Sequence, residues 1–465
     1  MNKKYDVLII GAGPAGAATA ICLGNSGLRV AVIDKATFPR EKTCGDGLTH
    51  DVIKQLGLIS ESLASAFAEL PHKQASYGAE IISPGHDHLY IPFYASGVKQ
   101  PIYTCPRFEF DNFMFSQMKQ FGNISVFENC LPEKLDITAD KVVLETSCGS
   151  FEAKMILGAD GANSFVARQM GVKRVTREHQ CVSLRTYFTG LKPLREGNPV
   201  EMYILKDVLP GYLWIFHLGD GRANVGIGML ASIITKKKIN LNKCFEGLLS
   251  SEPLKSRLSG GKQSEPFKGY ILPMGGERRD ISGSRFLLAG DAASLVDPST
   301  GEGVGNAIRS GRVAAEHILD CLKADDFSSG FNKAYDKEIY RRMMTEFRFH
   351  SRMRNLFNYP RLVNFTIGSA ARHKPMEASL QKALLNLHSN RWTSNAVFVL
   401  RILYIYTIQI VWVSLFEGKG KIQDAGCKIQ EPIAKYQLFL LRRHFQTIAG
   451  AFNHLPFPFL AVSRL

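Results

Sequence analysis

A short apolar run, Tyr5 to Ile10, leads straight into Gly11-Ala12-Gly13-Pro14-Ala15-Gly16, and no other feature restricts the fold so strongly. The run is rich in β-branched residues, as a strand buried on both faces of a parallel sheet should be. A helix is expected from about Pro14 to Asn25, and Arg29 to Asp34 (RVAVID) reads as the next parallel strand, which completes a βαβ unit. Gly11 permits the tight turn, Gly13 lets the backbone approach a pyrophosphate, and Gly16 allows the helix to pack closely on the sheet. Phosphates held by this turn, which includes Pro14 and Ala15, sit on the positive end of the helix dipole. Asp34, followed by Lys35, closes the second strand, where a carboxylate accepts hydrogen bonds from ribose hydroxyls. A turn that is merely glycine-rich leaves Asp34 unexplained, so the unit is read as a dinucleotide site.

The fold class is therefore α/β at its core. Segments near 141–157, 183–190, 200–206, 212–217 and 222–229 are short, aromatic or β-branched, and separated by Gly, Pro and Asp turns. They suggest an antiparallel sheet inserted into the nucleotide domain. The α/β texture returns at Phe286 to Ala289 with a long helix from about Gly303 to Leu322, and from about 330 the chain reads helical, polar and basic.

With 465 residues and 45% hydrophobic content the chain can fill a core without disulfides. Its nine cysteines are scattered and never in a CxxC spacing, which argues against a zinc site, a dithiol motif or a disulfide framework and fits a reducing cytosolic compartment. No metal site is expected. The net charge of +15 favours an anionic partner such as a phospholipid surface or a pyrophosphate-bearing substrate. Nucleic acid is excluded, because the basic excess is spread along the chain with no RNA-binding signature. The first residues mimic a signal peptide, but the apolar run stops at the glycine fingerprint and continues into a strand.

Two later segments separate FAD from NAD. Met155 to Ser164 (MILGADGANS), with Asp160 at its centre, resembles the Asp-Gly motif of flavoprotein hydroxylases. Phe286 to Ala293 (FLLAGDAA), running on to Asp297-Pro298 and Gly301-Glu302-Gly303-Val304-Gly305, resembles their second FAD motif. That resemblance implies that Asp291 binds the ribityl chain and that the helix opening near Val304 faces the isoalloxazine edge, where its dipole stabilises a reduced, anionic flavin.

Two further segments narrow the resemblance to the geranylgeranyl reductase family, within the para-hydroxybenzoate-hydroxylase-like flavoproteins. Phe38 to Gly47 (FPREKTCGDG) is similar to the family's basic stretch leading to Cys-Gly near the flavin. Pro210 to Phe216 (PGYLWIF) is similar to its Tyr-x-Trp-x-Phe-Pro motif, with His217 in place of the proline. The similarities span residues 5 to 320. They imply FAD-binding segments 1–75, 101–180 and 271–330, a substrate domain from 76–100 and 181–270, and a helical C-terminal region 331–465.

The resemblance implies an FAD-dependent reductase that saturates carbon-carbon double bonds of an isoprenoid or other lipid-like chain. Arg40, Cys44, Gly45 and Arg107 are then flavin neighbours. Cys44 is the candidate acid, set against a small buried residue in a tight turn; the alternative for Arg107 is a solvated surface arginine. Period two puts Tyr212, Trp214 and Phe216 on one strand face, either as a substrate wall or as ordinary core, and His217 is grouped with them as substrate-binding. A monooxygenase or halogenase is the runner-up, since the flavin motifs describe binding only. Halogenases usually show Trp-x-Trp-x-Ile-Pro and a positioned lysine, and the segment here begins with Tyr212 and ends in His217. A non-catalytic prenyl-lipid escort requires decay of FAD contacts that are all present. The electron donor is either NAD(P)H or a ferredoxin-type protein. The apolar stretch 396–416 is long enough for a bilayer but contains Arg401 and Gln409. It reads either as an anchor at the inner face of the membrane or as a buried helix lining the substrate cavity.

Overall fold

A computed structural model describes residues 3–95 and 98–372. The chain divides into two units, Met1–Arg391 and Trp392–Leu465, and every described residue belongs to the first. The apolar stretch 396–416, its membrane reading and most of the C-terminal region lie outside the described residues. Among the described residues no helix is long and apolar enough to cross a membrane.

The chain folds around two sheets. The first runs Ile124–Phe127, Val30–Ile33, Val7–Ile10, Met155–Gly158, Phe286–Leu288 and Ser282–Gly283, parallel except for the last strand. Every residue of its three central strands is buried, as expected of a parallel sheet covered on both faces. Helices Pro14–Cys22, Arg107–Met118 and Val304–Ala324 share its core. The first and last of these approach closely at Gly311, where a Cβ would stand 2.3 Å from the Ala15 carbonyl oxygen.

The second sheet has eight strands. Lys262–Gln263, Gln180–Thr189, Arg222–Leu230, Tyr212–His217, Val200–Tyr203, Gly78–Ile82 and His88–Pro92 follow one another, and Lys268–Pro273 pairs with Gln180–Thr189. All pairs are antiparallel except Val200–Tyr203 with Gly78–Ile82. One face packs Leu184, Leu213, Ile215, Val225 and Ile227 on the helix Leu241–Leu249. Gln74–Ser76 and Ile102–Thr104 pair antiparallel, so the chain enters and leaves this sheet side by side.

The expected sheet segment 141–157 is not part of the inserted sheet. Val142–Thr146 and Gly149–Ala153 form a meander with Pro132–Ile137 that shares the core of the nucleotide domain, while Met155–Gly158 is one of the central parallel strands. Alternating burial marks these strands, but periodicity is silent on which sheet a strand joins. Beyond 328, Ser329–Leu356 and Pro360–Arg372 are helices. The longer one inserts Tyr335 and Phe347 into the first core, and the Tyr335 hydroxyl donates to the Leu288 carbonyl at 2.7 Å.

Candidate functional site

The glycine turn is shaped by backbone contact. Gly11 has φ +96°, and a Cβ there would lie 2.5 Å from the Ala159 carbonyl oxygen; at Gly16 it would lie 1.8 Å from that of Gly11. At Gly13 only an Arg40 guanidinium nitrogen comes near, at 3.4 Å, so the turn opens onto a space with a cation across it. Pro14 begins the helix, Ala15 is buried behind it, and no side chain caps its N-terminus. Asp34 accepts from the Ala12 and Ala36 N–H groups, both at 2.8 Å, which fixes its carboxylate at the turn, and Lys35 lies exposed beyond it.

The other motifs close on the same space. Gly290 donates its N–H to Ser310 at 2.9 Å, and a Cβ at Gly303 would stand 3.4 Å from Asp291 Oδ1, so Asp291 lies at the start of the helix Val304–Ala324. That helix too has no side-chain cap. Gly301 has φ +73°, and Gly305 leaves room for the Asp51 and Glu302 carboxylates, which a Cβ would approach to 2.7 and 2.8 Å. Val304 is buried. Asp160 acts locally instead, accepting from Ser164 Oγ at 2.5 Å and from the Phe165 N–H at 2.6 Å, so its carboxylate caps the turn into Phe165–Gln169. These features fit a dinucleotide: two uncapped helix starts, a glycine cradle that side chains would fill, and basic groups across from it.

The segment from Phe38 to Gly47 lies against this space. Phe38 stacks on Phe115 at 4.2 Å, and Arg40 reaches Asp111 at 3.1 Å. Asp111 also takes Arg107 through two bonds of 2.6 and 2.8 Å, a buried bidentate pair. Burial works against the Arg107 charge, but Asp111 and the neighbouring Cys44 outweigh it and raise the guanidinium above its ordinary range. Arg107 is therefore a buried residue beside Cys44. Lys42 lies 3.0 Å over the Tyr270 ring; burial lowers its ammonium to about 8 despite the attraction of Asp291. Tyr270, in turn, reaches Asp291 at 3.5 Å and the Ala162 N–H at 3.4 Å, linking the inserted sheet to both later motifs.

The aromatic stripe faces this segment. A Cβ on Gly45 would lie 3.4 Å from Trp214 Nε1, and one on Gly47 would lie 3.5 Å from Phe216. Tyr212, Trp214 and Phe216 follow one another at ring spacings of 6.0 and 6.3 Å. Gly226 opposite Trp214 makes room for the indole, since a Cβ there would lie 2.1 Å from it. The Tyr212 hydroxyl donates to the Thr300 carbonyl, which ties the stripe to the flavin-motif loop. His217 does not join them. It is on the opposite strand face, 3.1 Å from Arg257 and 3.5 Å from Glu201, because its position is odd relative to the three rings.

Several residues with no role assigned from the sequence hold the site together. Asp46 is fully buried and accepts from Tyr187 Oη at 2.7 Å, Asn224 Nδ2 at 2.8 Å and the Arg107 N–H at 3.2 Å. Burial raises its carboxyl above the usual range. Asn224 also donates to the Cys44 carbonyl at 2.8 Å and accepts from Trp214 Nε1 at 2.9 Å, so one amide fixes both the cysteine segment and the indole. Asp297 accepts from the Ser299 and Thr300 N–H groups at 2.9 and 2.8 Å and pairs with His350 of the long C-terminal helix. The Arg107–Asp111 pair was legible as a helical i, i+4 spacing. Nothing local in the sequence marks His350.

Comparisons with known proteins identify the family and the cofactor. Residues 4–216 match the FAD binding domain family. A menaquinone reductase of Mycolicibacterium smegmatis is 30% identical over 400 residues, covering 83% of this chain and 93% of the relative. A digeranylgeranylglycerophospholipid reductase of Methanoculleus marisnigri is 28% identical, covering 73% and 82%. Among solved structures, a geranylgeranyl bacteriochlorophyll reductase-like protein of Thermoplasma acidophilum superposes with TM-score 0.71 at 22% identity, over 86% of this chain and 96% of that one. A halogenase in complex with phloroglucinol and FAD superposes with TM-score 0.66 at 17% identity, over 87% and 92%. The two structural likenesses carry the fold alone. Because a relative 30% identical covers 83% of this chain, and the FAD-domain match runs across the cradle, the cysteine segment and the aromatic strand, this chain belongs to the geranylgeranyl reductase family of FAD-dependent oxidoreductases.

Proposed function

We propose that the protein reduces an isolated double bond of a polyprenyl chain laid along Tyr212, Trp214 and Phe216, with Cys44 as the proton donor. It is an FAD-dependent oxidoreductase acting on isoprenoid or lipid-like substrates. The observation that carries the finer reading is the contact of the aromatic stripe with Gly45 and Gly47, which puts an apolar wall directly against the cysteine segment. When bound and reduced by the electron donor, the flavin would supply the hydride that one alkene carbon receives, returning to FAD. The chain must supply a proton to the other carbon, because an unpolarised alkene has no acidic hydrogen of its own. Cys44 Sγ–H is assigned to give it, the S–H bond breaking as the C–H bond forms. Arg107 beside it balances the charge left on sulfur until water returns the proton.

The cradle residues Gly11, Gly13, Pro14, Ala15, Gly16 and Asp34 are assigned to the pyrophosphate and ribose. Arg40, Lys42, Asp291, Gly301, Gly303, Val304 and Gly305 are assigned to the remainder of the cofactor. Arg185 and Lys268 of the inserted sheet have carboxylate partners, Glu265 and Glu41. That balance supports a substrate with an uncharged head, as a menaquinone has, over a prenyl diphosphate. NAD(P)H or a ferredoxin-type protein supplies electrons, and the positive net charge suits an acidic donor protein or an anionic membrane surface.

The test is anaerobic. The bound flavin is reduced, a menaquinone or geranylgeranyl diphosphate is added, and reoxidation is followed together with product mass. Gain of two hydrogens per step from the quinone without oxygen is the expected result. Reoxidation only after oxygen is admitted, with oxygen or halogen in the product, would replace this reading by the hydroxylase-like one. Cys44→Ser should retain flavin and slow the step at least tenfold.

A further inference from the structure

Outside the flavin site, a cavity of about 540 Å³ opens between Met170–Val175 and Glu277–Asp280. Its size is that of a small-ligand pocket, for which roughly 300–1,000 Å³ is usual. Lys173, Arg174, Arg278 and Arg279 line it, with Val172 and Phe286 supplying an apolar surface. Its two carboxylates are engaged elsewhere: Glu277 pairs with His179 at 3.5 Å and accepts the Thr176 N–H at 3.3 Å, and Asp280 pairs with Lys333. Lys173 and Arg174 are exposed and have no ion pair among the described residues. The lining therefore carries positive charge that the protein itself does not neutralise.

Arg279 connects this cavity to the flavin motif. Its guanidinium donates to Ser294 Oγ at 2.9 Å and to the Ala292 carbonyl at 3.0 Å, and both acceptors flank the turn that carries Asp291. Its Nε is buried with no hydrogen-bond partner among the described residues. Burial lowers this guanidinium from its ordinary range by more than Tyr340 and Glu277 restore, a cost that an anion in the cavity would relieve further.

We infer that this cavity binds a phosphate-bearing ligand, and that Arg279 couples its occupancy to the Asp291 turn. Guanidinium groups meet phosphate oxygens through paired, charge-assisted bonds, and the apolar surface suits a nucleobase or the first carbons of an acyl chain. The phosphate belongs either to a nucleotide or to a lipid head group.

The test uses the flavin-loaded protein. Inorganic phosphate, adenosine 2′,5′-bisphosphate and dihexanoyl phosphatidic acid are titrated by calorimetry into wild type, into Lys173→Glu/Arg174→Glu, and into the reversal Lys119→Glu, beside the opposite edge of the six-stranded sheet. Saturable binding that weakens at least tenfold only in the first variant is the expected result. If the bisphosphate outbinds inorganic phosphate, the source is a nucleotide; if phosphatidic acid does, it is a lipid. Non-saturating heats, or equal weakening in both variants, would overturn the site. Occupancy should also slow FAD release in wild type several-fold but not in Arg279→Gln, since linkage is reciprocal. FAD release that ignores the ligand in wild type overturns the coupling. None of these readouts depends on turnover, so failure here is distinguishable from failure of the reductase reading.

Discussion

In the six-stranded parallel sheet the site is made of backbone, whereas in the eight-stranded sheet it is made of side chains. Around Gly11 and Gly16 the decisive contacts are with carbonyl oxygens, and what matters is that no Cβ intrudes; at Gly13 only the Arg40 guanidinium stands near. Around Trp214 the decisive contacts are an indole, an amide and a buried carboxylate drawn from strands far apart in the chain. A backbone site leaves no room for a side chain at Gly11 or Gly16, and partners elsewhere in the fold hold it in place. A side-chain site depends on each partner and can be retuned without losing the cofactor.

The largest effect should come from the backbone side. In Gly16→Val the new side chain meets the Gly11 carbonyl, so stability should fall by about 3 kcal/mol or more and flavin should be lost. Urea unfolding and visible absorbance measure both. If a yellow, stable variant is recovered, the distinction between the two sheets fails. His350→Ala tests whether side chains from outside both sheets support the backbone site. It leaves Asp297 buried without its partner, so about 3 kcal/mol and much of the flavin retention should go.

Gly226→Ala should strike the second sheet alone. The added methyl displaces the Trp214 indole, and kcat/KM for a prenyl substrate should fall roughly tenfold while the flavin spectrum is unchanged. The pH dependence of Asp46 sharpens the same contrast. A carboxyl raised by burial keeps its proton in the folded state at pH values where the unfolded chain has released it. Its contribution to stability is then full below the ordinary carboxylate pKa and is lost as pH rises through the folded value. Asp46→Asn should therefore gain stability relative to wild type as pH increases, read from paired urea midpoints. Smallest of all is His217→Gln, which should leave turnover within about twofold, because its ring is on the far face of the strand from Trp214.

The glycine turn, Asp34, the order of the three flavin motifs and the common face of Tyr212, Trp214 and Phe216 are all legible in the sequence. Each follows from a local rule: a turn geometry, a helix start or a two-residue period. Legibility ends where partners are remote. Motif position groups His217 with the rings, although period two places it opposite them, and the fold follows the period. Alternation identifies 142–146 and 149–153 as strands but leads to the wrong sheet, since it records burial and not the identity of the covering layer.

By itself, then, the sequence determined a dinucleotide cradle and an aromatic strand, because these are written in short-range steric and periodic constraints, while the flavin came from the resemblance of the later motifs. Only the tertiary structure decided that Asp46 and Asn224, 178 residues apart, would lock the cysteine segment to the indole. It likewise decided that a histidine 53 residues beyond Asp297 would hold the flavin loop. Such pairings come from chain closure and burial, where a polar group must find a partner wherever the fold delivers one.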